Sequence, residues 1–333
     1  MKVPLVSVIV VTLNNKDWLL KSLKNLENQD YKNIEIILTD NGSNDGTREA
    51  VSKGFPQVIL IDARKNIGFG RAANKAIKKA RGKYIFVFND DALCKKDTIR
   101  LLVERMEKDY KIGACQGTLL FADKKSIVES AGSFLTPIGI LLKKAGNKFD
   151  RKKVKEEQIF NANLPLIRKE VLDKVGFFDE DYFLYFEEAD LCWRIWLAGF
   201  KIIYYPDAVL YHARGVTTRK LKPPLVVESA FGNRINSLTK NLELGSLIKI
   251  LPLHLIICFG GMFAYLLKRK PEGTIAILKA ITRNVRMWPR TKKKREKIQK
   301  LRRINDKKLF KKIMRPMSVK YFVDLALDYL KVW

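Results

Sequence analysis

Four short apolar runs open the chain: Leu5-Val6-Ser7-Val8-Ile9-Val10-Val11, Ile34-Glu35-Ile36-Ile37-Leu38-Thr39, Val58-Ile59-Leu60-Ile61 and Phe86-Val87-Phe88. Near-continuous Val, Ile, Leu and Phe is the pattern of strands buried on both faces, as in a parallel sheet. Between the runs the period lengthens. Leu19, Leu23 and Leu26 put one apolar face on a helix that Asn15 can cap, and 66–77 starts with glycines and continues into an Ala-rich helix. Strands alternating with helices at this spacing, with right-handed crossovers, predict a doubly wound, mostly parallel α/β sheet.

The first, second and fourth runs stop on polar residues: Thr12-Leu13-Asn14, Asp40-Asn41-Gly42-Ser43 and Asn89-Asp90-Asp91. Carboxyl ends of parallel strands share one edge, and open α/β sheets bind nucleotides there. Adjacent carboxylates repel each other, so Asp90 and Asp91 are best accommodated when a divalent cation with oxygen ligands lies between them and a phosphate. The same residues alone also suit an ordinary Asp-rich turn. The glycines of 66–70 permit close approach of a backbone or ligand. They form neither the GxGxxG fingerprint nor a P-loop, which argues against a nicotinamide dehydrogenase and a P-loop phosphotransferase.

Further along, 97–109 reads as a helix and 112–121 as a strand, whereas 123–157 is polar, Lys-rich and without clear period, the pattern of a mobile connection over the acceptor side. A helix is predicted at 168–175. An aromatic-rich segment then leads into Glu187, Glu188 and Asp190, three acids in four positions at a helix start, where the dipole and capping favour carboxylates. Two short strands, 201–205 and 208–212, end at His212, one of only two histidines.

Composition adds compartment and surface. Four cysteines without paired spacing argue against a disulfide framework or a zinc site, and the amino terminus has no signal-peptide layout; both point to a reducing, cytosolic setting. The net charge of +29 is concentrated from Arg219 onward, where 28 Lys and Arg face 7 Asp and Glu. Such a tail suits a polyanionic partner, nucleic acid or an anionic leaflet. Pro223-Pro224 marks a boundary, giving a nucleotide-binding catalytic domain at 1–222 and a basic helical membrane-association region at 223–333. Within that region, 250–267 is almost wholly apolar, and at about 1.5 Å per residue it could just cross about 30 Å of hydrocarbon. A single crossing would put Lys268-Arg269-Lys270 and the eight Lys and Arg of 291–303 on the side away from the catalytic domain, against the positive-inside tendency. A re-entrant or interfacial helix pair is favoured; a true span and a soluble core helix remain open. Phe322, Ala326, Tyr329 and Trp333 give 319–333 a helical face suited to an interface.

In their order, Thr12-Leu13-Asn14, Asp40-Asn41-Gly42-Ser43, Asn66 with Gly68, Asn89-Asp90-Asp91, Phe178-Asp179-Glu180, Glu187-Glu188-Ala189-Asp190 and His212 resemble the blocks of family 2 inverting glycosyltransferases. The likeness is strongest to the branch that adds rhamnose-like sugars to cell-surface polysaccharides. It implies a GT-A type fold and transfer from a nucleotide-diphospho-sugar to a lipid-linked saccharide acceptor, on the cytoplasmic face of the membrane. By this resemblance Asp40 contacts the base, with Thr12 and Asn14 beside it; Asn66, Gly68 and Arg71 lie along the ribose; Asn89 and Asp90 belong to the nucleotide site; and Asp91 with His212 holds Mg²⁺ or Mn²⁺. Glu188 is implied as general base, with Glu187 and Asp190 orienting the acceptor or the helix. The family's aspartates are replaced here by Asn89 and Glu188. Two alternatives of other classes are weaker. A sugar nucleotidyltransferase would show a Gly-rich basic first loop where Thr12-Leu13-Asn14-Asn15 stands, and a nucleic-acid-binding protein would show a reading motif or aromatic platforms; no nucleic acid is expected.

Overall fold

The computed structural model describes residues 3–150, 153–213 and 222–316; the predicted interfacial segment 319–333 lies outside them. In its first half β1 (Val6–Thr12), α1 (Lys16–Glu27), β2 (Ile34–Asp40), α2 (Thr47–Gly54), β3 (Ile59–Asp62), α3 (Phe69–Ile77) and β4 (Tyr84–Asn89) alternate as the apolar periods predict. Then follow β5 (Ala92–Cys94), α4 (Thr98–Glu107), β6 (Ile112–Phe121), β7 (Val128–Ser130), β8 (Ser133–Leu135), β9 (Leu141–Lys143), β10 (Glu157–Gln158), β11 (Leu166–Arg168), α5 (Lys169–Val175), α6 (Glu187–Leu197) and β12 (Lys201–His212). The helices α7 (Pro223–Asn241), α8 (Leu244–Leu267), α9 (Pro271–Arg286), α10 (Trp288–Leu301) and α11 (Asp306–Ile313) complete the described chain.

The main sheet has the order β10-β12-β6-β11-β4-β1-β2-β3, with β5 on β12 and β7 on β6. Strands β3, β2, β1 and β4 run parallel, β11 is antiparallel to both β4 and β6, and β12 is parallel to β6. Successive β1 side chains go to opposite faces: Val6, Val8 and Val10 join one core and Ile9 the other. That two-sided burial is why the strand reads as unbroken hydrophobicity.

Three expectations change. The stretch 123–157 contains β7 to β9 and the start of β10, and Val128, Phe134, Leu135 and Ile140 are buried in it. Its strands are three residues or fewer, too short for an alternation to stand out. The two predicted strands at 201–212 are one strand whose register on β6 shifts between Tyr204 and Val209, a bulge around Pro206. Leu166–Arg168 is a strand that enters α5 directly, so the helix starts at Lys169.

After Pro223 the chain folds back onto the sheet unit. Pro223 and Pro224 occupy the first positions of α7, where a missing N–H costs no helical bond. Most of α7 from Ser229 to Asn241 is buried, against α6, α9 and α10. The apolar run is one continuous 24-residue helix, α8, through Pro252 and Gly260-Gly261, the one helix among the described residues long and apolar enough to cross a membrane.

Candidate active site

Register puts the predicted residues on one edge. Thr12 lies opposite Asp40, Asp40 opposite Asp62, and Val11 opposite Asn89, so the ends of β1, β2, β3 and β4 are level. Two groups of side chains form there.

At the end of β4, the Thr12 hydroxyl donates to Asp90 Oδ2 at 2.7 Å. Ser22 on α1 caps the same turn, donating to the carbonyls of Asp90 and Ala92. Burial, and after it the charge of Asp91, push the Asp90 carboxyl up to about 7, even with Thr12 donating to it and Asn15 and His212 nearby. β5 pairs with the end of β12, opposing Ala92 to His212, and this swings the imidazole over the strand tip. His212 Nε2 is 3.0 Å from Asp91 Oδ1 and 3.1 Å from Asn89 Nδ2, while Nδ1 is 2.8 Å from Glu129 Oε2. Burial alone would depress this imidazole; hydrogen bonds and charge from Asp91 and Glu129 outweigh it and raise its pKa to about 9.

Two donor atoms 3.0 Å apart have the separation of adjacent ligands on an octahedral cation, since bonds of about 2.1 Å at a right angle span about 3.0 Å. Oxygen and imidazole nitrogen are donors that Mn²⁺ accepts. Among the described residues no group of three His, Cys, Asp or Glu side chains is placed to hold a metal ion. Asp91 and His212 would supply two ligands to a cation, the rest coming from a diphosphate or water.

The second group lies at β2. Asp40 is fully buried, accepting from Ser43 N at 3.1 Å and facing Arg48 at 3.4 Å; the same guanidinium reaches Asp62. Asn14, in a left-handed conformation, accepts from Asn44 N, and its own N–H donates to Ser43. Asn41 and Asn66 bind each other, and Asn66 Oδ1 also accepts from Gly68 N. Gly68 has φ +84°, and a Cβ there would lie 2.6 Å from the Phe183 carbonyl. This glycine thus lets the loop before α3 press against the segment ahead of α6. Arg71 Nε donates to the Glu180 carbonyl at 2.7 Å, tying the same two segments.

On α6 the three acids have different surroundings. Tyr185 and Phe186 both have positive φ, 63° and 71°, a costly pair for non-glycine residues that turns the chain abruptly into the helix. Glu187 is buried, and its Oε2 has no hydrogen-bond partner among the described residues. Burial, then the neighbouring Glu188, hold its carboxyl well above the usual range. Glu188 is half-buried, and burial raises it as well. Asp190 points the other way, into the protein: Arg194, Lys240, Ser237 and Asn241 all bind it. Burial works to raise its pKa, but the charges of Lys240 and Arg194 keep it low. Of the two roles expected for Asp190, orienting the helix is the one these contacts describe.

Sequence reasoning missed Glu129, Arg48, Lys240 and Lys294. Glu129 sits in the stretch without period, so nothing local marks it. It lies 2.8 Å behind His212 Nδ1, where a carboxylate would orient the imidazole were His212 to hold a cation. Glu129→Ala is expected to weaken Mn²⁺ binding about 10- to 100-fold in calorimetric titration, with Glu129→Gln, which still accepts a hydrogen bond, recovering part of the loss. Equal affinity in all three proteins would remove Glu129 from the site.

Comparison with known proteins identifies the family and the fold. The family model described as Glycosyl transferase family 2 matches residues 7–176, just over half of the chain. An N-acetylglucosaminyl-diphospho-decaprenol L-rhamnosyltransferase of Mycobacterium tuberculosis is 27% identical over 236 residues, 63% of this chain and 76% of that protein. A poly-beta-1,6-N-acetyl-D-glucosamine synthase of Staphylococcus aureus is 25% identical over 210 residues, 62% of this chain and 49% of that one. Among solved structures, S. aureus TarS 1-349 in complex with UDP-GlcNAc superposes with TM-score 0.58 at 18% identity, covering 89% of each chain. The mannosyltransferase PcManGT of Pyrobaculum calidifontis, in complex with GDP-Man and Mn²⁺, gives 0.54 at 21% identity, covering 86% of this chain and 76% of that one.

Proposed function

The chain belongs to glycosyl transferase family 2, and we propose that it transfers a sugar, with inversion, from a nucleotide-diphospho-sugar to a hydroxyl of a lipid-linked saccharide on the cytoplasmic face of a membrane. The observation that carries this reading is the convergence of Asp91 and His212 at 3.0 Å on the nucleotide edge of a GT-A sheet. The M. tuberculosis relative acts on a diphospho-decaprenol sugar, which supports the acceptor class. The TarS and PcManGT complexes hold nucleotide sugars, which supports the donor class.

Asp91 and His212 would hold Mg²⁺ or Mn²⁺, and when bound the cation offsets the negative charge that develops on the leaving diphosphate. The base and ribose fall to the loops of Thr12, Asn14, Asp40, Asn66 and Gly68, with Asn89, Asp90 and Arg71 at their margins. Glu188 takes the proton of the acceptor hydroxyl as its oxygen attacks the anomeric carbon from the face opposite the diphosphate. Burial makes this carboxylate a stronger base than a solvated one, which suits that role. Glu187 and Asp190 orient the acceptor or the helix.

Asp91→Asn is expected to abolish the gain in nucleoside-diphosphate affinity that Mn²⁺ confers, without lowering the melting temperature. Thermal-shift titration of a panel of nucleoside diphosphates with and without Mn²⁺ reads this directly and also identifies the base. Retention of the full Mn²⁺-dependent gain by a folded Asp91→Asn protein would refute the metal assignment.

A further inference from the structure

Helix α8 is apolar on all sides, yet its two sides meet different surroundings. Ile250, His254, Cys258 and Tyr265 are buried, and Gly261 lies against Ile277 of α9 and Phe231 of α7. His254 Nδ1 is 3.3 Å from the Ile138 carbonyl, so this side rests on the sheet unit too. On the opposite side Ile248, Ile256, Phe259, Phe263 and Leu267 are 59–69% exposed. Their spacing of three, four and eight residues places them on one helical face. Ile275, Leu278 and Val285 of the adjoining α9 are 49%, 49% and 71% exposed. Soluble surfaces rarely leave so much contiguous apolar area uncovered.

Cations surround the patch. Lys249 lies near one end of α8 and Lys268 and Arg269 at the other, while Lys279 and Arg286 run along the exposed side of α9. An apolar face within a basic margin complements a bilayer whose headgroups are anionic. A lone spanning helix would have lipid on every side, but one side of α8 packs on α7, α9 and the sheet unit, with Ile250, His254, Cys258 and Tyr265 buried. Inserting it across a bilayer would strip it from α7 and α9 and uncover His254.

We propose that α8 and α9 together form a monotopic docking surface that lies in the plane of an anionic bilayer and does not cross it. A short relay joins this surface to the acceptor side. Arg283 of α9 donates to Asn233 Oδ1 of α7 at 2.7 Å, and Asn233 Nδ2 donates to the carbonyls of Leu184 and Tyr185 at 2.9 and 2.8 Å, just ahead of Glu187 and Glu188. Docking thereby holds the acceptor side next to the lipid, a consequence that rests on the lipid-linked acceptor proposed above; the docking itself does not.

The test uses the purified full chain and sealed vesicles of phosphatidylcholine with or without phosphatidylglycerol, in the absence of donor and acceptor. Sedimentation with the phosphatidylglycerol vesicles is expected, reduced but not abolished by salt. The pair Phe259→Ser and Phe263→Ser is expected to lower partitioning at least about tenfold at unchanged melting temperature. The pair Lys279→Glu and Arg286→Glu is expected to remove the preference for phosphatidylglycerol. Cys94, Cys115, Cys192 and Cys258 are all buried, so Lys249→Cys and Arg269→Cys can be labelled selectively with an impermeant maleimide. Both are expected to react from the outer side. Labelling from opposite sides, or undiminished partitioning of the serine pair, overturns the proposal. So does a concentration-dependent dimer lost in the serine pair when the parent ignores vesicles, which would give the face to a second copy. A chain that docks but transfers no sugar would count against the catalytic reading alone.

Discussion

Glu188→Gln is expected to lower turnover by about 10²- to 10⁴-fold while donor affinity stays within about twofold of the parent, the signature of losing a proton acceptor used only in the transition state. The reasoning starts from the backbone. Tyr185 and Phe186, both at positive φ, turn the chain so that α6 begins at the acid pair, and Asn233 fixes the turn by binding the carbonyls of Leu184 and Tyr185. Of the two glutamates, Glu187 is the more deeply buried, and burial and the neighbouring Glu188 hold its carboxyl well above the usual carboxylate range. Glu188 is only half-buried, leaving it open to an incoming hydroxyl. Single-turnover rates and donor titration on Glu188→Gln, Glu187→Gln and Asp190→Asn separate the roles. If Glu187→Gln alone loses the chemical step with donor binding intact, the base has been assigned to the wrong carboxylate.

The nucleotide edge was legible because a parallel strand buried on both faces leaves an unmistakable apolar run, and what ends the run lies at the edge. Thr12, Asp40 and Asp91 could be placed from that alone. His212 could not, because its approach to Asp91 depends on β5 pairing with β12, a contact between residues far apart in the chain. Glu129 was hidden for a second reason. Three-residue strands carry no period, and the lysines around β7 to β9 read as solvent-facing even though Val128 and Phe134 are core. The basic region misled in the opposite direction. Net charge treats every lysine after Arg219 as surface, whereas Lys240 is 1% exposed.

That lysine carries the second large prediction. Lys240 reaches Asp179 and Asp190, the latter at 3.1 Å, with its ammonium 4.6 Å from the Tyr182 ring centroid. Lys294 of α10 binds Asp179 and Asp181, and Arg290 binds Asp181 at 2.9 Å. Three aspartates ahead of or within α6 are thus paired with cations of α7 and α10, which brace the start of that helix. Breaking a buried pair from one side typically costs about 3–5 kcal/mol. Asp179 keeps Lys294 and Asp190 keeps Arg194, so Lys240→Met is expected near the lower end, about 3 kcal/mol in denaturant unfolding. Pairing it with Asp190→Asn should return part of that loss. The pH dependence has a definite sign. Burial acts to raise both carboxyls, but the adjacent cations hold Asp179 and Asp190 below the ordinary aspartate value, so their contribution is complete at neutral pH. It is lost only as pH falls below about 4 toward the depressed values, and Lys240→Met should flatten the stability curve in that acid range. Because Lys240 holds Asp190 of α6 directly and reaches Gly68 and Arg71 only through the backbone of the 179–183 segment, the variant should lose turnover more than donor affinity. A Lys240→Met protein within about 0.5 kcal/mol of the parent, with the same acid profile, would mean that the helices after Pro223 hang on the catalytic unit without bracing it.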